Sequence, residues 1–463
     1  MTRAPSGSIL LPPVPGRGGG LRSAEDLAMA GLARVLIRAF FRHVQVEHGE
    51  RLEAGRPTVL VAGHRNGLVD ALVLMAALGP YPRFLGKSTL FRIPVLWPFL
   101  KLGGVVPVHR AQDGGSTAGN AGAFTFSNRL LARGRTVAIF PEGISHDLPA
   151  LQPLRTGAAR VALRASHDGV PGVVTVAVGL VYDERQRFRS RALVRVGEPQ
   201  STDCWMDAYR RDDRGAVRSL TDDLAERLRR VQPDLPSWAE TERLADMAEI
   251  LARAESDLPR QVDLARRQHL VEALTRGGAE PGRAVAVEAL RVAHHTYRRR
   301  LAAFGLDDAE VMAGIWSGRL RWRSLGVLVG VIGTAPLAAV GAVVHVVPYQ
   351  LVKRLSRLPA NVGMRATVKL LGCFFAFVAA YAALGVIIGR SSGAPLGLLA
   401  AAGAPACGYV AVRMVERIRR MGGAAGGLRL ARRRGPLRTS LLADRAVVVA
   451  AAGAVLGPQA RDA

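Results

Sequence analysis

Aromatic residues make up only 5% of this 463-residue chain. No basic stretch is interleaved with aromatics in the way that stacks nucleic-acid bases. Cysteine is scarce as well. Cys204, Cys373 and Cys407 are widely spaced, which excludes a disulfide framework and a cysteine-built metal site and suits a reducing compartment. Acidic residues are few: 37 Asp+Glu against 63 Lys+Arg leave a net charge of +26. Such an excess implies an anionic partner, whether nucleic acid, lipid headgroups or a phosphorylated substrate. The arginines spread over helical stretches and cluster beside apolar segments, which favours a membrane surface over a nucleic-acid groove. The N-terminus, MTRAPSGSILLPPVPGRGGG, has too short an apolar run for a signal peptide, so 1–20 reads as a disordered leader.

What the chain does have is alternation. Residues 24–46 carry Leu27, Leu32, Val35, Leu36, Ile37, Phe40 and Phe41 among arginines, the pattern of a helix in a core or at a membrane interface. From 56 to 200, short β-rich runs alternate with helical runs. The strands are expected at 58–62, 83–85, 105–108, 136–140, 173–181 and 193–196, the helices at 70–78, 89–102, 119–132 and 157–165. This predicts an α/β domain over 21–205, a mixed sheet covered by helices. Residues 206–320 are charged and strand-poor and read as surface helices with i,i+4 charge pairs.

Three long apolar runs follow, at 325–347, 370–389 and 394–412, in a membrane region over 321–420. A bilayer core of about 30 Å takes about 20 helical residues, so each is long enough or nearly so. Lys353, Arg354, Arg357, Arg365 and Lys369 lie between the first run and the second, and Arg413, Arg417, Arg419 and Arg420 follow the third. The turn between the second and third holds only Arg390. The positive-inside rule then sets 370–389 and 394–412 as a spanning hairpin with both ends in the cytoplasm. With Arg321 and Arg323 on that side too, 325–347 starts and finishes there. Carrying Pro336, and with Pro348 at its end, it is expected to be re-entrant or interfacial. Residues 421–463 form a tail with a short apolar helix near 441–457.

Two stretches carry the chemistry. Val59 to Ala62 is an apolar run that stops at Gly63 and His64, and Asp70 opens the next apolar run after Arg65, Asn66 and Gly67. A His at a strand exit with a carboxylate one turn into the next element is a general base with its orienter. Further on, Ile139–Phe140–Pro141–Glu142–Gly143 repeats the plan, a strand ending in a glycine-bearing loop. Two such loops on one sheet converge on one pocket. His64 has the near-neutral pKa range of a base, and no Ser or Cys stands beside it to form a covalent intermediate.

Here 56–200 resembles the glycerolipid acyltransferase family, which includes glycerol-3-phosphate and 1-acylglycerol-3-phosphate acyltransferases. The blocks fall in order: Gly63–His64 with Asp70; Phe84–Leu85–Gly86–Lys87 leading to Gly104–Val105–Val106–Pro107–Val108–His109–Arg110; Phe140–Pro141–Glu142–Gly143 with Leu154–Arg155–Thr156–Gly157–Ala158; and Val174 to Tyr182. Five residues rather than four separate His64 from Asp70, which resembles a minority branch of the family. Gly63 stands where Asn is frequent, and Ile144–Ser145–His146 replaces the usual Thr-Arg-Ser.

The resemblance implies a membrane enzyme on the cytoplasmic side that moves a fatty acyl group from acyl-CoA or acyl-carrier protein to a phosphorylated glycerol acceptor. Lysophosphatidic acid is favoured over glycerol-3-phosphate. The resemblance calls for no metal and no organic cofactor. It gives catalysis to His64 and Asp70 and phosphate binding to Arg110, with Lys87 and Arg155 behind it. Glu142 organises those cations or takes an acceptor hydroxyl, and Gly143 lets backbone approach the substrate. His109 and His146 read as incidental. The competing readings are a membrane-anchored lipid-binding protein with a relict site and a metal-dependent hydrolase without a second His in ligand spacing. A nucleic-acid binder fits least, given three bilayer-length runs.

Overall fold

The computed structural model describes residues 24–78, 81–93, 96–109, 121–184, 187–254, 262–313, 317–358, 362–433 and 435–457. The leader at 1–20 lies outside them, as does Arg110. The chain divides into two units, Met1–Trp238 with Ser356–Leu370, and Ala239–Leu355 with Leu371–Ala463.

The first unit is built on one mixed sheet. Its strands among the described residues are β1 (Phe41–Glu47), β2 (Thr58–Ala62), β3 (Arg83–Lys87), β4 (Val106–Val108), β5 (Thr136–Ile139), β6 (Val174–Tyr182), β7 (Ser190–Val196) and β8 (Gln200–Ser201). They run in the order β1-β7-β6-β2-β5-β3-β4, with β8 paired to β6. The β2 strand sits between β5 and β6, parallel to both. All five of its residues are buried, which is why it reads as an unbroken apolar run rather than an alternating one. Only β7 and β8 run antiparallel to β6.

Helices α1 (Ala24–Phe40), α2 (Leu68–Ala77), α3 (Trp97–Leu102), α4 (Ala121–Ala132), α5 (Gly157–His167), α6 (Met206–Arg211) and α7 (Asp213–Val231) accompany the sheet. Val217, Leu220, Leu224 and Leu228 of α7 recur at helical spacing and enter the core beside Val59 and Val61 of β2 and Ala159 and Leu163 of α5. The charged stretch after 205 therefore begins inside the first unit. That unit runs to Trp238, beyond the boundary expected at 205, because α7 buries one largely apolar face in its core.

Two elements differ from the sequence reading. Residues 41–47 form strand β1, paired parallel with β7, where the helical pattern of 24–40 had been expected to continue. Val44 and Val46 alternate at period two and are β-branched, which suits a strand. The helix expected at 89–102 is two short pieces, a 3-10 turn at Ser88–Arg92 and α3. Pro94 between them disfavours the α region for the residue before it.

The second unit holds α8 (Trp238–Ala254, apart from its first residue), α9 (Leu264–Ala279), α10 (Ala284–Ala303), α11 (Asp308–Ala313), α12 (Ser317–Leu355), most of α13 (Val362–Ser392), α14 (Ala394–Arg433) and α15 (Gly435–Leu456). Four segments are long and apolar enough to cross a membrane: Val329–Leu355, Thr367–Ser392, Ala394–Ile418 and Pro436–Leu456. The first runs as unbroken helix through Pro336 and Pro348. Small residues bring α12 and α14 together, since a Cβ on Gly341 would collide with the Cys407 carbonyl and one on Gly408 with the His345 ring.

The tail helix is longer than expected. Leu441, Val448 and Ala452 of α15 are fully buried, and the helix lies against α9 and α10. Its Asp444 pairs with Arg300, and its buried Arg445 donates to Asp308 at 2.8 Å and to the Ile250 carbonyl at 2.6 Å. One face of α15 thus packs into a charged bundle, while the helix stays long and apolar enough to cross a membrane.

Candidate active site

Strands β2, β3 and β5 are parallel, so their C-terminal ends share one edge of the sheet, and β4 joins them there through β3. The loops that carry the motifs leave from that edge, where open α/β sheets bind ligands. Val61 of β2 is in register with Ile139 of β5, which sets the His64 loop directly beside the Phe140–Gly143 loop.

His64 and Asp70 meet. His64 Nδ1 lies 3.1 Å from Asp70 Oδ2. The extra residue in this His–Asp spacing is taken up by a turn. Gly67 adopts φ 58, a left-handed value that favours glycine, and α2 then starts at Leu68. Asp70 has no exposed side-chain surface. Its Oδ2 also accepts the Asn66 amide at 2.7 Å, and its Oδ1 accepts the Tyr182 hydroxyl at 2.6 Å. Its two oxygens are thus committed as acceptors to three donors. It therefore takes the Nδ1 proton of His64 as a hydrogen bond and leaves Nε2 as the free base position. The imidazole stacks on Phe140, ring centroids 4.2 Å apart, and Phe140 in turn stacks on Phe84.

Glu142 joins the two loops through its own contacts. Its side chain is wholly buried. Oε1 accepts the His64 backbone amide at 2.8 Å, and Oε2 accepts from His146 Nε2 and from the Gln152 amide. His146 Nδ1 accepts the Leu148 amide at 3.1 Å, which puts the ring proton on Nε2, facing the carboxylate. Burial pushes the Glu142 carboxyl up, but the His146 hydrogen bond and the two amides outweigh it and hold the carboxyl below the usual range. Glu142 thus ties one loop to the other, and His146, read as incidental, is its main partner.

Gly143 has φ 73, and the Arg155 side chain lies over it so closely that a Cβ would meet Nε at 2.9 Å. The Arg155 amide donates to the Pro141 carbonyl at 2.8 Å, which brings that arginine to the loop. Lys87 ends β3 at the same sheet edge, paired with Val108. Arg110 lies outside the described residues.

Sequence reasoning missed a strap. After α7 the chain crosses both loops. A Cβ on Gly63 would collide with the buried Gln232 amide, and Arg65 donates to the Pro233 carbonyl at 2.8 Å. Asp234 accepts the Leu151 amide at 2.8 Å, and Trp238 Nε1 donates to the Asp147 carbonyl at 2.7 Å. Two further glycines seat it: a Cβ on Gly179 would strike the Val231 carbonyl, and one on Gly197 would press on the Val231 side chain. Gly63, where the related pattern has Asn, is the residue that leaves room for Gln232.

The model of the family described as Acyltransferase matches residues 43–180. Over those residues the chain is similar to that family. The acyltransferase domain is 38% identical over 104 residues to glycerol-3-phosphate O-acyltransferase 2 of Saccharomyces cerevisiae, covering 22% of this chain and 14% of the relative. It is 28% identical over 178 residues to human 1-acyl-sn-glycerol-3-phosphate acyltransferase beta, covering 38% of this chain and 62% of that one. The chain thus spans less than two thirds of the length of either relative. The 1-acyl-sn-glycerophosphate acyltransferase PlsC of Thermotoga maritima, a solved structure, matches 44% of this chain and 79% of its own at 21% identity, with a TM-score of 0.31.

Proposed function

We propose that the protein is a membrane-bound O-acyltransferase. It moves a fatty acyl group from acyl-CoA or acyl-carrier protein to the hydroxyl of a glycerol-phosphate-type acceptor, with 1-acylglycerol-3-phosphate ahead of glycerol-3-phosphate. The observation that carries this is His64 Nδ1 at 3.1 Å from a fully buried Asp70, at the sheet edge where both acyltransferase loops leave. The family match of 43–180 supports it.

In this reading His64 Nε2 takes the proton of the acceptor hydroxyl as its oxygen attacks the thioester carbonyl. The C–O bond forms, the C–S bond breaks, and the proton leaves with the thiol. General-base catalysis contributes roughly 10²–10⁴ of the rate, and holding acceptor and thioester together contributes much of the rest. Arg110, Lys87 and Arg155 hold the acceptor phosphate. Glu142 and Gly143 shape the loop that carries Arg155. The apolar helices keep the site beside the bilayer, on its cytoplasmic side, where acyl tails and lipid product partition.

The test is acyl transfer by the detergent-solubilised protein, with labelled acyl-CoA or acyl-carrier protein offered to lysophosphatidic acid, glycerol-3-phosphate and dihydroxyacetone phosphate. Transfer to one acceptor, abolished by His64→Ala, is the expected result. Phosphoacceptor binding without transfer from either donor overturns the enzyme reading in favour of a lipid-binding protein with a relict site.

A further inference from the structure

The catalytic pair has a third member on another strand. Tyr182 is the last residue of β6, in register with Ala192 of β7, and its ring stacks on Phe41 of β1 with centroids 5.6 Å apart. Its hydroxyl reaches 2.6 Å from Asp70 Oδ1, the oxygen that faces away from His64. The other oxygen, Oδ2, is shared by His64 Nδ1 and the Asn66 amide. Asp70 is thus gripped from α2's own entry turn on one side and from the far side by a strand that is not part of its motif. A fully buried carboxylate held at only one oxygen pivots about that bond. Held at both, it presents a fixed lone pair to the imidazole.

We infer that Tyr182 is a positioning residue for the reaction: through Asp70 it fixes the orientation and tautomer of His64. The inference rests on the reading of His64 as the base. Phe41 stacks against the ring and sets where the hydroxyl points, so β1, an edge strand with no motif of its own, contributes to the site. An ordinary core tyrosine at this place would need only some acceptor. This one uses the single carboxylate on which the base depends.

Tyr182→Phe keeps the stacking surface and removes only the hydroxyl. Two readouts separate a positioning role from a structural one. The first is the split between kcat and KM in the acyl-transfer assay. The second is the rate at which diethyl pyrocarbonate modifies His64, followed by peptide mass spectrometry, which needs no turnover. Tyr182→Phe is expected to lower kcat about tenfold, with KM for donor and acceptor unchanged. It is also expected to change the His64 modification rate in the direction that Asp70→Asn does. Phe41→Leu leaves the hydroxyl but removes the ring that aims it, and is expected to lower kcat in the same direction by less than Tyr182→Phe does.

An unchanged kcat, or a loss confined to KM, overturns the inference. So does a His64 modification rate that Asp70→Asn alters and Tyr182→Phe does not. Should the wild-type protein transfer no acyl group, the modification rates still decide whether Tyr182 governs His64, so failure of the functional reading is told apart from failure of this one.

Discussion

Glu142 carries a charge where water does not reach, and it keeps that charge because three donors converge on it. Replacing it by Gln keeps a carbonyl acceptor but turns the other oxygen into a donor facing His146 and the Gln152 amide. Such a change costs about 1–3 kcal/mol and loosens the tie to the His64 amide. The pH dependence follows from the direction of its shift. A carboxyl held below its ordinary value of 4.5 stabilises the fold fully above that value and loses the contribution as pH falls through the lower folded value. The melting temperatures of wild type and Glu142→Gln are therefore expected to differ most near neutral pH and to converge in acid. A gap that stays constant from neutral to strongly acid pH contradicts this account. His146→Phe is expected to narrow the same gap, since it strips Oε2 of its side-chain donor.

At the scale of elements, the strap is where close approach replaces side chains. The obstacle at Gly63 is a side-chain amide that is itself buried, whereas at Gly179 it is backbone. Gly63→Ala is expected to cost about 1–3 kcal/mol and to be largely restored by Gln232→Ala. Gly179→Ala is expected to cost as much or more and to gain nothing from that second change. Denaturant unfolding of the four variants measures both, and equal rescue of the two single changes would refute the seat.

The glycines also show what the sequence made legible. Strands β2 and β5 are plain in it because a strand buried on both faces writes itself as a continuous apolar run, and each run ends at its motif. The His64–Asp70 pair is plain because both residues lie within one turn of each other. Strand β1 is hidden because FRHVQVE follows a helical pattern with no breaker between them. The strap is hidden because Gln232 has no periodic signature and meets Gly63 only through the fold. The one hint was glycine inside strand patterns, at 179 and beside a strand end at 63, which marks backbone approach. The role of His146 is hidden because its spacing from Glu142 is that of a helix, while the segment between them is an irregular loop.

At the scale of the whole molecule, the question is how a chain with charge +26 and several bilayer-length helices threads a membrane. Ser356–Leu370, the link between the apolar parts of α12 and α13, belongs to the catalytic unit. Its Thr367 hydroxyl accepts the Leu68 amide at 3.2 Å, capping the helix that presents Asp70. The link is therefore expected on the same side of the bilayer as the sheet, which is also what the cluster of Lys353, Arg354, Arg357 and Arg365 around it predicts.

The chain enters α12 from the charged helices α8 to α11 of the second unit. The expected threading has α13 and α14 cross as a hairpin with Arg390 at the far turn. The native cysteines supply the test. Cys204 is exposed in the catalytic unit and serves as the internal reference, with Cys373 and Cys407 replaced by Ser. In sealed vesicles, a membrane-impermeant maleimide is expected to label Arg357→Cys and Cys204 together, from one side, and Arg390→Cys from the other. Labelling of Arg357→Cys from the side opposite Cys204 would set the link, and with it the Thr367 cap on α2, across the membrane from the catalytic sheet, and so overturn this threading.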